Sequence, residues 1–360
     1  MNDTLQTPPA RLGTVKPYSP PKPRAKIIHK LDANEGPEPL PGLQTWINEH
    51  IFTNLSRYPT NAHEFEAFIA ERHAVSTDRV ILTAGVDDAL FRLCMATLEP
   101  GRTATMMRPT FEMIPTYADL AQGETNAIDW YEGDFPRDAF IQSAASERNA
   151  VSFLVTPNNP TGLAISAEDL DAVCEKASGL VAVDLAYAEF DDEDLTNRAV
   201  NKPNTVTLRT LSKAWGLAGL RVGYAIADPE VIARLRAAGN PYPVSRPSIA
   251  IAHRWLQDGK SFVEETVAQA KSEREDLQAL LKSLDINTTN SKANFVFADL
   301  RTKDNAETLR HAMAAKGFAI RGYPNRPNLD RYLRITCPAN AAVFADLVGA
   351  LKASIKEARA

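Results

Sequence analysis

The segment Thr210–Gly223, TLSKAWGLAGLRVG, sets Lys213 behind two hydroxyl residues, Thr210 and Ser212, at the end of an apolar run. Arg221 stands eight residues further on, among Gly216, Gly219 and Gly223. A lysine leaving a buried strand is desolvated, which lowers its pKa and makes the amine nucleophilic toward carbonyls. Hydroxyls and a guanidinium close by are the partners that a phosphate needs. A nucleophilic amine beside a phosphate cradle suggests a Schiff base to pyridoxal phosphate. An isolated Ser-Lys pair at a strand end is more often a plain surface lysine, so the segment needs support from elsewhere. The glycine spacing is not GxGxxG, and a dinucleotide fingerprint is not supported.

Three other segments could supply that support. LVAVDLAYAEF (180–190) ends a hydrophobic run on Asp184, with Tyr187 three residues on. A buried carboxylate is costly unless paired. A pyridinium nitrogen is a natural partner, because ionised Asp184 would keep it protonated and preserve an electron sink. Tyr187 could donate a hydrogen bond to the ring hydroxyl oxygen. An aspartate after a strand is equally a helix N-cap. VTPNNPTGLAIS (154–166) forces a turn straight after a strand. Asn159 could present its amide there, at the carboxyl end of the strand where ligands sit in open α/β sheets; the same residues also make an ordinary turn. LTAGVDDALFRL (82–93) reads strand, glycine, helix, and free N–H groups at such a helix start can hold a phosphate, although the pattern is common.

Positioning these four segments takes alternating elements. Residues 1–26 read as an extended arm, since VKPYSPPKPR cannot be helical; nine of the 24 prolines fall within the first 41 residues. From there a helix over Thr60–His73 and an amphipathic helix over Asp87–Leu98 are expected. Apolar strands are expected at 79–83, 103–107, 150–155, 180–184, 205–209 and 222–227. Short apolar runs separated by helices imply an α/β fold with a mostly parallel sheet covered on both faces. Beyond Pro229–Gly239 the rhythm changes to helices near 247–257 and 259–283, then strands at 294–300, 318–321 and 332–336 mixed with two helices. The expected division is an arm (1–42) that joins the small domain, a large cofactor-binding domain (43–244) and a small α+β domain (245–360).

Composition narrows the partners. The 360 residues are 44% hydrophobic and 24% charged, which excludes disordered and collagen-like classes. The 40 Lys+Arg and 45 Asp+Glu give a net charge of −5 with no Lys/Arg run of five, pointing away from nucleic acid and membrane partners. Cys94, Cys174 and Cys337 are far apart and odd in number, as in a reduced, cytoplasmic protein with structural thiols. MNDTLQTPPA has no apolar core and does not read as a signal peptide. The six histidines show no HExxH or HxH spacing, so no metal is expected.

Together, the order and spacing of these segments resemble the fold-type I pyridoxal-phosphate aminotransferases, and most closely the histidinol-phosphate aminotransferases. The likeness runs over nearly the whole chain: KPYSPPKP, KLDANEGP, RYP (57–59), RPTFEM (108–113), TPNNPTG, TLSKAWGLAGLRVGY, PYPVSRPS (241–248), SKANFVF (291–297), GFAIRGYP (317–324) and YLRIT (332–336). It implies a large domain with a mostly parallel seven-stranded sheet between helices, a smaller α+β domain, and a homodimer acting on an amino donor and a 2-oxo acid. It implies that Lys213 is the Schiff-base lysine, that Asp184 partners the pyridine nitrogen, and that Tyr187 and Asn159 contact the ring hydroxyl. Phe111 would stack on the ring. Gly85, Val86, Asp87, Thr210, Ser212 and Arg221 would cradle the phosphate, and Tyr58 would reach the cofactor phosphate of the other subunit. On the substrate side, Arg334 would grip an α-carboxylate and Arg321 a substrate phosphate. Tyr18 would lie on the covering arm, with Asn34 and Asn294 near the pocket. The family usually has Asp-Glu-Ala-Tyr where Leu185 follows Asp184 here, and a small residue and glycine where Cys337 and Pro338 stand.

The resemblance favours histidinol phosphate and 2-oxoglutarate as the substrate pair. An aromatic amino-acid aminotransferase, or a decarboxylase of a phosphorylated amino acid, would use the same lysine and aspartate. A non-catalytic cofactor-binding regulator would need a DNA-binding segment, and no basic helix-turn-helix stretch is present.

Overall fold

The computed structural model describes residues 25–39, 41–51 and 55–359. Tyr18 and most of the proline-rich arm lie outside them.

Seven strands form the main sheet: β2 (Val80–Thr83), β3 (Thr103–Arg108), β4 (Glu124–Asp129), β5 (Asn149–Val155), β6 (Leu180–Asp184), β7 (Thr205–Thr210) and β8 (Gly223–Ile226), numbered after a short arm strand β1 (His29–Lys30). Their order is β2-β8-β7-β6-β5-β3-β4. Only β8 runs antiparallel to its neighbours in this sheet. The inner strands are buried along almost their whole length because helices cover both faces. Successive side chains therefore enter different cores. Met106, Phe153 and Ala182 pack with Leu90 and Leu93 of the helix Gly85–Thr97. Met107, Leu154 and Val183 pack on the opposite side with Leu170 and Val173. The fold is the α/β arrangement expected, a mostly parallel seven-stranded sheet between helices.

After the helices Arg246–Asp258 and Lys260–Ser283, an antiparallel sheet is built from β9 (Asn287–Thr288), β10 (Phe295–Asp299), β12 (Arg321–Gly322) and β13 (Tyr332–Thr336), in the order β12-β13-β10-β9. Leu277 and Leu281 pack it against Leu309, Leu347 and Leu351. The stretch expected as one strand at 318–321 is divided. β11 (Phe318–Ala319) pairs in parallel with arm strand β1, and β12 pairs with β13. β4 is not evident in the sequence, because this edge strand is largely exposed and its residues, ETNAID, form no apolar run.

The arm residues that lead into the fold lie against the lysine turn, backbone to backbone. A Cβ on Gly36 would sit 2.2 Å from the Lys213 carbonyl oxygen, and one on Gly216, whose φ is +67°, would sit 2.3 Å from the Pro37 carbonyl oxygen. Only glycine permits that approach. Gly36→Ala should therefore destabilise the protein by about 2–4 kcal/mol, seen as a lower melting temperature. Gly219→Ala, with nothing within 4 Å of the added carbon, should stay within about 0.5 kcal/mol of wild type.

Candidate active site

Strand register gathers the motifs at one edge. Val155 at the end of β5 lies beside Asp184 at the end of β6, and Asp184 lies beside Leu208 of β7. Thr210, the last residue of β7, pairs with Gly223 of β8. The Asn159 turn, Asp184, the Lys213 turn and Arg221 thus leave the sheet side by side. They open into one cavity, lined also by Val86, Asp87, Phe111, Tyr187, Thr210, Ser212, Arg321 and Arg334.

Lys213 Nζ donates to the Ala33 carbonyl at 3.0 Å. Burial pulls its pKa down to about 8, and the nearby Arg334 charge adds to the effect. Asp184 is 4% exposed. Its carboxylate accepts from the Ala186 N–H at 3.1 Å and forms no ion pair among the described residues. Burial pushes its pKa up to about 7. Tyr187 is buried, its ring 5.8 Å from Lys213 Nζ, and its hydroxyl accepts from Asn34 Nδ2 at 3.2 Å. Burial raises its pKa too.

Arg221 has a left-handed backbone (φ +55°) that turns its side chain back across the sheet edge. Its Nη2 donates to Asp87 at 3.0 Å and its Nη1 to Ser212 Oγ at 3.5 Å, while Thr210 Oγ1 donates to Ser212 Oγ at 3.0 Å. Gly85 (φ +76°) starts the helix beneath this group, and a Cβ there would lie 2.7 Å from Arg221 Nη2. The first N–H groups of that helix have no intrahelical acceptor. Hydroxyls, guanidinium and helix start together make an anion cradle.

On the opposite wall, Arg334 is 6% exposed. It donates from Nη1 to Asn159 Oδ1 at 2.6 Å and from Nη2 to the Asp32 carbonyl at 2.7 Å. Its guanidinium lies 5.4 Å from the Phe295 ring centre. Arg321 donates to Glu112 Oε1 at 3.1 Å. Arg334 Nε and the Tyr323 hydroxyl are buried with no hydrogen-bond partner among the described residues, so the cavity wall holds polar atoms that a ligand would satisfy.

Besides Gly85, which lies beneath Arg221, three expected residues stand outside the cavity. Asn34 lies behind Tyr187, fully buried, and accepts from Thr336 Oγ1 at 2.5 Å. Asn294 is buried, its Oδ1 has no partner among the described residues, and its carbonyl accepts from the Cys337 N–H. Tyr58 is 75% exposed and stacks on Tyr242 at 4.8 Å. Leu185, where the family usually has glutamate, fills the core. All three cysteines are buried and unpaired, with their thiol pKa values raised by burial.

Sequence reasoning missed Glu112, Arg326, Tyr323 and the carbonyls of Asp32 and Ala33. Tyr323 had a signal: it is two residues beyond Arg321, and that spacing puts two side chains on one face of an extended segment. Arg326 sits on an irregular loop and had none.

Pyridoxal phosphate fits these residues. A buried carboxylate without a cation suits a protonated ring nitrogen, a desolvated lysine suits its aldehyde, and the anion cradle suits its phosphate. Among the described residues no group of three or more acidic, histidine or cysteine side chains could hold a metal ion, and no helix is long and apolar enough to cross a membrane.

The chain is similar to known proteins along most of its length. It is 32% identical to the histidinol-phosphate aminotransferase of Caldanaerobacter subterraneus subsp. tengcongensis, over 87% of this chain and 90% of that one. The crystal structure of the Sinorhizobium meliloti histidinol-phosphate aminotransferase in complex with pyridoxal-5'-phosphate superposes with a TM-score of 0.84 at 22% identity, covering 92% of each chain. A tetra mutant of Thermus thermophilus aspartate aminotransferase superposes with a TM-score of 0.81 at 20% identity, covering 98% of this chain and 99% of that one. The family profile for aminotransferase class I and II matches residues 29–348, and the chain belongs to that family.

Proposed function

We propose that this aminotransferase takes the amino group of a phosphorylated amine, histidinol phosphate being the favoured donor, and passes it to 2-oxoglutarate, as a cytoplasmic homodimer in histidine biosynthesis. One observation carries the reading. Arg321 on β12 stands directly opposite Arg334 on β13, and both line the cavity of Lys213. Like charges held opposite each other repel. Glu112 offsets part of this at Arg321, while among the described residues Arg334 donates only to the neutral Asn159 amide and Asp32 carbonyl. An anionic substrate end supplies further countercharge. The name of the Caldanaerobacter relative supports the same donor. An aromatic amino-acid donor is the second reading, favoured by the cluster of Phe297, Tyr323, Leu329 and Tyr332 beside the cavity.

The enzyme is pyridoxal-phosphate dependent; when bound, that cofactor supplies an aldehyde for the amine and a ring that accepts electrons from the substrate Cα. Asp184 holds a proton at the ring nitrogen. Lys213 Nζ would take up and release the proton of the substrate Cα. Tyr187, Asn159 and Phe111, which line the cavity, would hold and orient the ring. Gly85, Val86, Asp87, Thr210, Ser212 and Arg221 hold the phosphate, with Tyr58 reaching the site of a second copy. Arg334 and Arg321 bind the anionic ends of the substrates, Tyr18 completes the substrate side, and Asn34 and Asn294 support it from behind the cavity wall. The arm (1–42), large domain (43–244) and small domain (245–360) are the division proposed, and the pairing of arm strand β1 with β11 supports an arm that joins the small domain.

Glutamate added to the purified enzyme should shift its visible absorbance band, and Lys213→Ala should lose both the shift and turnover; full turnover by that variant would overturn the mechanism. Histidinol phosphate should be turned over with a kcat/KM at least about tenfold above that of phenylalanine, and Arg321→Ala should erase the preference, since a charge-assisted contact is worth about 1.5–3 kcal/mol.

Asp184 gives a second expectation. Its folded pKa is raised above the unfolded value, so the cofactor-free protein is most stable below about pH 4 with respect to this group. That stability is lost as pH rises toward about 7, where the buried carboxylate ionises. Asp184→Asn should raise the melting temperature of cofactor-free protein at about pH 8, leave it nearly unchanged at about pH 4, and abolish transamination.

A further inference from the structure

Glu112 stands where the anionic end of a substrate would be held. Its side chain is 14% exposed and bridges two arginines. Oε1 accepts from Arg321 at 3.1 Å, and Oε2 lies 2.6 Å from Arg326 Nη2. All three residues line the cavity of Lys213. Glu112 follows Phe111 directly and precedes the helix Met113–Leu120, so it approaches from the sheet side. The two arginines belong to the C-terminal part of the chain. Arg321 is also the residue set opposite Arg334 by the β12–β13 register.

We propose that Glu112 is a specificity-determining residue: an internal carboxylate on Arg321 and Arg326 that weakens the binding of doubly charged substrate ends more than singly charged ones. The proposal rests on the reading of Arg321 as an anion-binding residue. Transamination uses one pocket twice, first for an amino donor and then for an oxo acid. A pocket of bare guanidiniums would hold a phosphate dianion far more tightly than a carboxylate, and the second substrate would enter poorly. Repulsion from Glu112 scales with the charge of the ligand. It therefore costs a dianion about twice the free energy that it costs a monoanion, and narrows the gap between the two.

The test is calorimetric titration of the cofactor-loaded enzyme at about pH 8 with inorganic phosphate and, separately, with acetate. Glu112→Gln keeps the side-chain shape and removes the charge. Phosphate affinity should rise about tenfold and acetate affinity about threefold, the square root that charge scaling requires. Glu112→Asp, which keeps the charge, should retain the wild-type ratio, and Arg321→Gln should lower phosphate affinity. Unchanged or weakened phosphate binding in Glu112→Gln, or equal gains for both ions, would overturn the role of Glu112. Phosphate binding indifferent to Arg321→Gln would instead overturn the assignment of Arg321 on which the inference rests.

Discussion

Two ionisable groups of opposite kind, a buried Asp184 and a half-buried Lys213, share one sheet edge, and the arrangement of the site follows from that. Asp184 has a single backbone donor, Ala186, and is lifted to about 7, while Lys213 is drawn down to about 8. Burial penalises the charged form of each. Their proton affinities consequently converge near neutrality, where an ordinary aspartate and lysine lie more than six units apart. The sheet maintains this arrangement, because Asp184 is the last residue of a fully apolar strand and Lys213 leaves the neighbouring one. A solvated loop could not do so.

Polar contacts then tie the C-terminal part of the chain to the sheet across the cavity. Asn159 and Glu112 come from the sheet side, while Arg334, Arg321 and Arg326 come from the other. These are partly buried, charge-assisted contacts, the kind that is short and directional. They line the cavity of Lys213, so the contacts that join the two parts of the chain border the space that the proposed function gives to substrate.

How much of this was legible in the sequence depended on locality. The apolar runs of β5, β6 and β7 and the hydroxyl-lysine and Asn-Asn-Pro segments carry their signal in adjacent residues. The structure brings Asn159, Asp184, Lys213 and Arg221 to one cavity. Edge strand β4 was illegible because exposure removes the apolar pattern. Arg92 was illegible for a different reason. It is 1% exposed in a helix of the core, matched by Asp88 and by the carbonyls of Leu235 and Asn240. Those carbonyls are distant in sequence, and no spacing rule reaches them. Glu112 was passed over similarly, since its two arginines lie about two hundred residues away.

The arm holds two of the site's cations through main-chain oxygens: Ala33 accepts from Lys213 and Asp32 from Arg334. A carbonyl offers the same acceptor whatever side chain its residue carries. The grip therefore does not depend on the side chains of Asp32 and Ala33. Selection would fall instead on Gly36, where the chain path itself is fixed by close approach to the lysine turn. The course of this part of the arm is thus set by main-chain contacts rather than by its side chains.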